Sequence, residues 1–150
     1  MFKERANILK AKVHHVKPHG ALYNLIAVNK EKAVLVVKAI QQVFKNIKIY
    51  VPYNSEIENI AREYKMEIIY EAFADRNYNE DLTLVSRSKE KAILTDSSRV
   101  VKHVSNIVSG KVKTISGKEI EIKVHTFCIH SDNKNAIEIL HELNQNFNCA

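Results

Sequence analysis

The chain has 150 residues, 45% hydrophobic and 27% charged, which fits one globular domain able to bury a core and excludes a disordered or low-complexity chain. Its formal charge of +6 comes from scattered lysines, with no arginine-rich or aromatic-interleaved stripe, so nucleic-acid binding is not expected. No apolar run approaches the roughly 18 residues needed to cross a membrane, and the charged start MFKERANILK has no signal-peptide apolar region, so the expected setting is cytoplasmic.

Residues 1–150 read as a single domain without linker or internal repeat. A helix is predicted over about residues 2–11, then a strand from Val13 to Lys17, then a helical stretch from about Ala21 to Lys45 broken near Asn29. IKIYVP gives a strand ended by Pro52. Ser55 and Glu58 stand at capping-box spacing, so a helix starts there and runs to about Lys65. MEIIYEA is the next strand and leads into the polar loop FADRNYNED, with LTLVSR and KAILTD as short extended pieces.

Asp96 caps a helix predicted to end near Ser109, where Gly110 stops it. KVKTISGKEIEIKV carries a Ser116-Gly117 turn between two alternating segments, the pattern of a two-stranded ribbon. VHTFCIH is an apolar strand. After it Ser131 or Asp132 is placed to cap a last helix whose Ala136, Ile137, Leu140, Leu143 and Phe147 form one face. Apolar strands alternating with amphipathic helices predict an α/β fold with mainly parallel strands.

On this map the polar residues gather at strand carboxyl ends, where parallel βα folds build their sites. Lys17 and His19 follow the first strand; Glu71, Asp75 and Arg76 close the third; His130 and Asp132 end the last. In VKPHGALYN, Pro18 stops the strand, Gly20 permits a close backbone approach, and the next helix offers free N–H groups to an anion. Arg76 can hold a carboxylate or phosphate through its guanidinium fork, with Glu71 or Asp75 as base or metal ligand; a loop-stabilising Asp75–Arg76 ion pair is the alternative. An N-cap role accounts for Asp132 fully.

The remaining histidines carry no assignment. His14 and His15 point to opposite faces of a strand, His103 and His141 read as exposed helix positions, and His125 starts a strand without a partner. The spacing of the seven histidines matches no zinc signature, and Cys128 and Cys149 read as free thiols.

KPHGALYN at 17–24, EAFADRNY at 71–78, LVSR at 84–87, SGKVKTISGKEIEI at 109–122 and TFCIHSDNKNAIEI at 126–139, in this order and spacing, resemble the LamB/YcsF family, the A subunit of prokaryotic 5-oxoprolinase. The resemblance implies a partial βα-barrel of glycoside hydrolase/deacetylase type with a small β-ribbon insertion. It also implies a role in ATP-dependent opening of 5-oxo-L-proline to L-glutamate, with ATP as co-substrate and B and C subunits as partners. Carried onto matching positions, it marks His19, Glu71 and Asp75 as catalytic candidates. Lys17, Tyr23, Asn24, Arg76, Arg87, His130 and Asp132 become substrate- or phosphate-binding candidates, and no metal ligand is assigned.

Two departures qualify the match. Ser131 stands where the family has glycine, and the family's amino-terminal motifs, of Asp-Asn-Asp-Gly-Glu and Cys-Gly-Phe-His-Ala-Gly-Asp type, are absent. The chain therefore resembles the carboxyl-terminal portion of the family's proteins. Because a partial barrel leaves strand edges to be covered, a separately encoded amino-terminal piece or self-association is expected, and no activity is expected from the chain alone. Two other functions compete: a metal-dependent deacetylase-like hydrolase, and a non-catalytic interaction module derived from a split gene.

Overall fold

A computed structural model describes residues 2–147. The elements in chain order are α1 (Phe2–Ile8), β1 (His15–Val16), α2 (Gly20–Val28), α3 (Lys30–Val43), β2 (Lys48–Val51), α4 (Glu56–Glu63) and β3 (Glu67–Phe73). They continue with α5 (Ser97–Val108), β4 (Lys111–Lys113), β5 (Glu119–Glu121), β6 (Thr126–Cys128) and α6 (Ala136–Phe147). The four longer-range strands follow the order β1-β2-β3-β6, and β4 pairs with β5 alone. Of these, β1 pairs with β2 in parallel and β3 with β6 in parallel, as the alternating pattern predicts. This is the mainly parallel, partial βα-barrel fold class with a small antiparallel ribbon.

The chain divides into two compact units, the first made of residues 1–51 and 55–69, the second of residues 52–54 and 70–150. β3 runs from the first into the second. In the first unit Ser55 caps α4 as the sequence predicts, accepting from Glu58 N–H at 3.3 Å, and Asn29, where the helical stretch breaks, caps α3 by accepting from Lys32 N–H at 3.0 Å. Ala33, Val37 and Ile40 form the inward stripe of α3, and Ile57, Ile60 and Ala61 that of α4. Alternation along β2 buries Ile49 and Val51.

In the second unit Ala74, Val100, Val104, Ile139 and Leu143 make a buried cluster, with Leu94, Val101, Phe127, Ile129 and Phe147 packed against it. Asp96 caps α5 by accepting from Arg99 N–H at 2.9 Å. The ribbon turns through Gly117, whose φ of +91° is open to glycine at little cost. Its Ser116 and Lys118 both bond Glu80, which ties the ribbon to the loop after β3.

Several expectations need correction. The face of α6 that packs inward carries Ile139 and Leu143, while Ile137 is 86% and Leu140 55% exposed. Asp132 does not cap α6, which begins four residues later; its carboxylate is turned to Arg87 instead. β6 is shorter than predicted because its flanks are bonded otherwise. His130 N–H donates to the Asp75 carboxylate, and His125 exchanges bonds with Tyr70, so His125 does have a partner. β1 is likewise confined to two residues. Cys128 is a free thiol, and Cys149 lies outside the described residues.

Candidate functional site

The site in the second unit grows from the carboxyl ends of β3 and β6. Register sets Glu71, Ala72 and Phe73 beside Thr126, Phe127 and Cys128, so the chain leaves both strands at the same level. Ala74 N–H donates to Cys128 O at 3.0 Å, one step beyond the ladder. The next residues, Asp75 on one side and His130 on the other, are thereby held together although 55 positions separate them.

Asp75 is 1% exposed, and every bond to its carboxylate comes from the segment after β6. Oδ1 lies 2.9 Å from His130 Nδ1; Oδ2 accepts from His130 N–H at 3.2 Å and from Asn133 Nδ2–H at 3.2 Å. Burial pushes the Asp75 carboxyl up, but the bonds from His130 and Asn133 outweigh it and hold the group below its ordinary value. The carboxylate is therefore ionised at neutral pH. Phe73 stacks on the His130 imidazole, with centroids 5.3 Å apart and planes 8° from parallel. An imidazole whose Nδ1 faces a carboxylate and whose plane is fixed by a ring has Nε2 left to take or give a proton.

Arg76 turns away from Asp75. Its guanidinium is buried and donates to Val85 O at 2.6 Å and Ala92 O at 3.3 Å, closing the loop between them. Burial first, then the like charge of Arg87, pulls Arg76 below its ordinary value. That loop carries Arg87, which reaches Asp132 through both terminal nitrogens of its fork. The pair is open to solvent, with side chains 45% and 61% exposed, and Asp132 also feels the charge of His130. Its bond to Arg87 holds the Asp132 carboxyl below the usual carboxylate range.

Glu71 is buried in β3, and its charge acts on the Tyr78 phenol. That phenol oxygen accepts Phe73 N–H at 2.7 Å, and burial raises the phenol far above its ordinary value. Tyr78 in turn stacks on His103, with centroids 6.0 Å apart. His103 is buried, a correction to its reading as exposed; burial lowers its basicity, an effect that the nearby backbone of Phe73 and Arg76 partly offsets. The sequence did carry the signal, since Val100, His103, Val104 and Ile107 fall at the spacing of one apolar helix stripe.

The first-motif residues belong to the first unit. Lys17 Nζ sits 5.7 Å from the centroid of the buried Tyr23 ring, a cation–π contact. His19 and Asn24 are exposed, and His19 precedes α2 without a side-chain cap bond. Gly20 opens α2 at φ +60°, which by itself accounts for a glycine there. Ser131, by contrast, is not among the described residues with positive φ, so serine at the family's glycine position carries no left-handed strain.

Comparison with known proteins settles the lineage. The profile of the LamB/YcsF family matches residues 1–150. The chain belongs to the LamB/YcsF family. It is 37% identical over 134 residues to the 5-oxoprolinase A subunit of Alkaliphilus metalliredigens, covering 89% of this chain and 52% of that one. It is 38% identical over 138 residues to the 5-oxoprolinase A subunit of Bacillus cereus strain AH187, covering 91% and 54%. The crystal structure of the lactam utilization protein from Thermus thermophilus superposes with a TM-score of 0.83 at 27% identity, over 96% of this chain and 59% of that one. This LamB/YcsF chain thus spans about half the length of the curated relatives it matches.

Among the described residues no group of three or more His, Cys, Asp or Glu side chains is arranged to hold a metal ion. No described helix is long and apolar enough to cross a membrane.

Proposed function

We propose that this chain supplies part of a 5-oxoprolinase A-type site, in which Asp75 and His130 handle protons and Arg87 receives the carboxylate of a lactam acid. The observation that carries the reading is the buried Asp75 carboxylate bonded to a partly exposed His130 at two parallel strand ends. The named activity of the relatives supplies the substrate class.

A lactam amide is a poor electrophile. Transfer of the terminal phosphoryl group of ATP to the lactam oxygen, with ADP leaving, makes the ring carbon attackable. Water adds to the ring carbon, the ring C–N bond breaks to leave γ-glutamyl phosphate, and a second water cleaves that acyl phosphate to glutamate and inorganic phosphate. His130 Nε2 would accept the proton of the attacking water while Asp75 stabilises the imidazolium formed. Arg87 suits the substrate carboxylate because its present partner is a solvent-exposed side chain on the same rim, which an anionic ligand can displace. From the family resemblance, Glu71 stays a catalytic candidate and Arg76 a binding candidate in the second unit; in the first unit, taken by itself, His19 stays a catalytic candidate and Lys17, Tyr23 and Asn24 candidates for substrate or phosphate contacts.

The chain has three glycines and no phosphate-cradling glycine-rich run, so ATP is assigned mainly to a partner surface. B and C subunits, together with the portion of the family that this chain does not match, complete the assembly, and a cytoplasmic location belongs to the same proposal. A deacetylase-like reading needs a carboxylate and two histidines on one ion, and the described residues offer no such cluster. The test is 5-oxoproline hydrolysis with and without partners: ATP-dependent turnover by the isolated chain would sink the proposal. Loss of turnover on Asp75→Asn within a complete assembly supports it.

A further inference from the structure

Asn133, which the sequence did not single out, uses its whole side-chain amide inside the second unit. Nδ2 donates to Asp75 Oδ2 at 3.2 Å and to Leu94 O at 2.9 Å, and Oδ1 accepts from Asn135 N–H at 3.2 Å. Its own N–H donates to His130 O at 3.1 Å, while Leu94 N–H donates to Asp75 O at 2.9 Å. The residue is buried, so these bonds do not exchange freely with water. One side chain therefore joins the three segments that carry Asp75, Leu94 and His130.

We infer that Asn133 is a positioning residue, whose amide fixes the Asp75 carboxylate so that Oδ1 is presented to His130 Nδ1. The role goes beyond the proposed function but rests on its reading of Asp75 and His130 as the working pair. His130 engages both carboxylate oxygens, Nδ1 at Oδ1 and N–H at Oδ2, and the Asn133 amide adds a second donor on Oδ2 that reinforces this orientation. A neutral amide suits the task because it supports the charged form of Asp75 without titrating itself. The other groups acting on Asp75 are His130 by direct contact and Arg76, Arg87 and His103 through space, with Asp132 acting on Arg87 and His130.

The test is a carbon-detected NMR titration of the Asp75 carboxyl in the full chain, comparing wild type with Asn133→Asp, Asn133→Ala and Asn135→Ala. Asn135 is the control because its Nδ2 tethers the same segment to Thr95 O at 2.8 Å without touching Asp75. Asn133→Asp removes the donor and adds a like charge, so the Asp75 proton affinity rises about tenfold or more, a shift of about one unit. Asn133→Ala raises it less, and Asn135→Ala leaves it in place. An unmoved Asp75 midpoint in a folded Asn133 variant overturns the inference. Should neither variant fold, the wild-type Asn133 side-chain amide protons decide: they must shift as Asp75 takes up its proton, and constant shifts overturn the role. The titration reads positioning alone. A moved midpoint, combined with undiminished turnover of Asp75→Asn in a complete assembly, would overturn the proposed function and leave the role of Asn133 standing.

Discussion

His130 Nδ1 lies 2.9 Å from Asp75 Oδ1, and the register of β3 with β6 is what brings the two together. The strands leave their ladder in step, and the first polar residues beyond it meet. Because the carboxylate is buried and accepts three bonds from one short segment, the geometry survives without solvent to support it.

Asp75→Asn should therefore cost stability as well as any activity. Replacing the carboxylate sets an amide N–H₂ against donors already aimed at it, and unsatisfied buried donors of this kind cost about 1–3 kcal/mol. Since the folded value of Asp75 is depressed, its contribution is complete above the unfolded value of about 3.9 and is lost as pH falls through the folded one. Urea denaturation at steps from about pH 5 to about pH 2.5 should show a smaller acid slope in Asp75→Asn than in wild type, and equal slopes would count against the network.

His103 sets a second pH dependence at a higher window. Burial keeps it neutral in the fold, so the unfolded chain binds its proton first as pH drops. Stability from this residue is full above its ordinary value of 6.5 and declines as pH falls below it toward the lowered folded value. His103→Leu should flatten the stability curve between about pH 6.5 and about pH 5 while still filling the stripe of α5. An unchanged slope there would mean that His103 takes up its proton within the fold.

Arg87 and Asp132 should behave in the opposite way. Their pair is exposed, and exposed ion pairs add little to stability. Arg87→Lys and Asp132→Asn should leave the melting temperature almost unchanged, in contrast to Asp75→Asn. In a complete assembly Arg87→Lys should raise KM for 5-oxoproline more than it lowers kcat, because the fork is lost and the charge kept. A fall in kcat alone would move Arg87 from substrate binding to the chemistry.

Much of this was legible in the sequence. Ser55 and Asp96 announce their helices by cap chemistry, and the alternation of strand and helix gives the parallel sheet. Asp75, His130, Arg87 and Asp132 could be nominated from their positions after strands and from the family motifs. Their pairing could not, because Asp75 stands next to Arg76 in the chain and only strand register reveals that it turns to His130. Asn133 was hidden for a related reason: nothing in an SDNKN run tells which polar side chain is buried. The α6 face was misjudged because Ile137 and Leu140 satisfy helical spacing as well as Ile139 and Leu143 do, and only the packing against Val100 and Val104 chooses between them.

The decisive assay is ATP-dependent conversion of 5-oxo-L-proline to L-glutamate, run with the chain alone and then with B and C subunits and an amino-terminal portion of a LamB/YcsF relative. We expect no turnover from the chain alone, turnover in the complete mixture, and its loss on Asp75→Asn or His130→Ala. Turnover by the chain alone, or a complete mixture indifferent to both substitutions, would contradict the assignment of Asp75 and His130 as the working pair of a shared site.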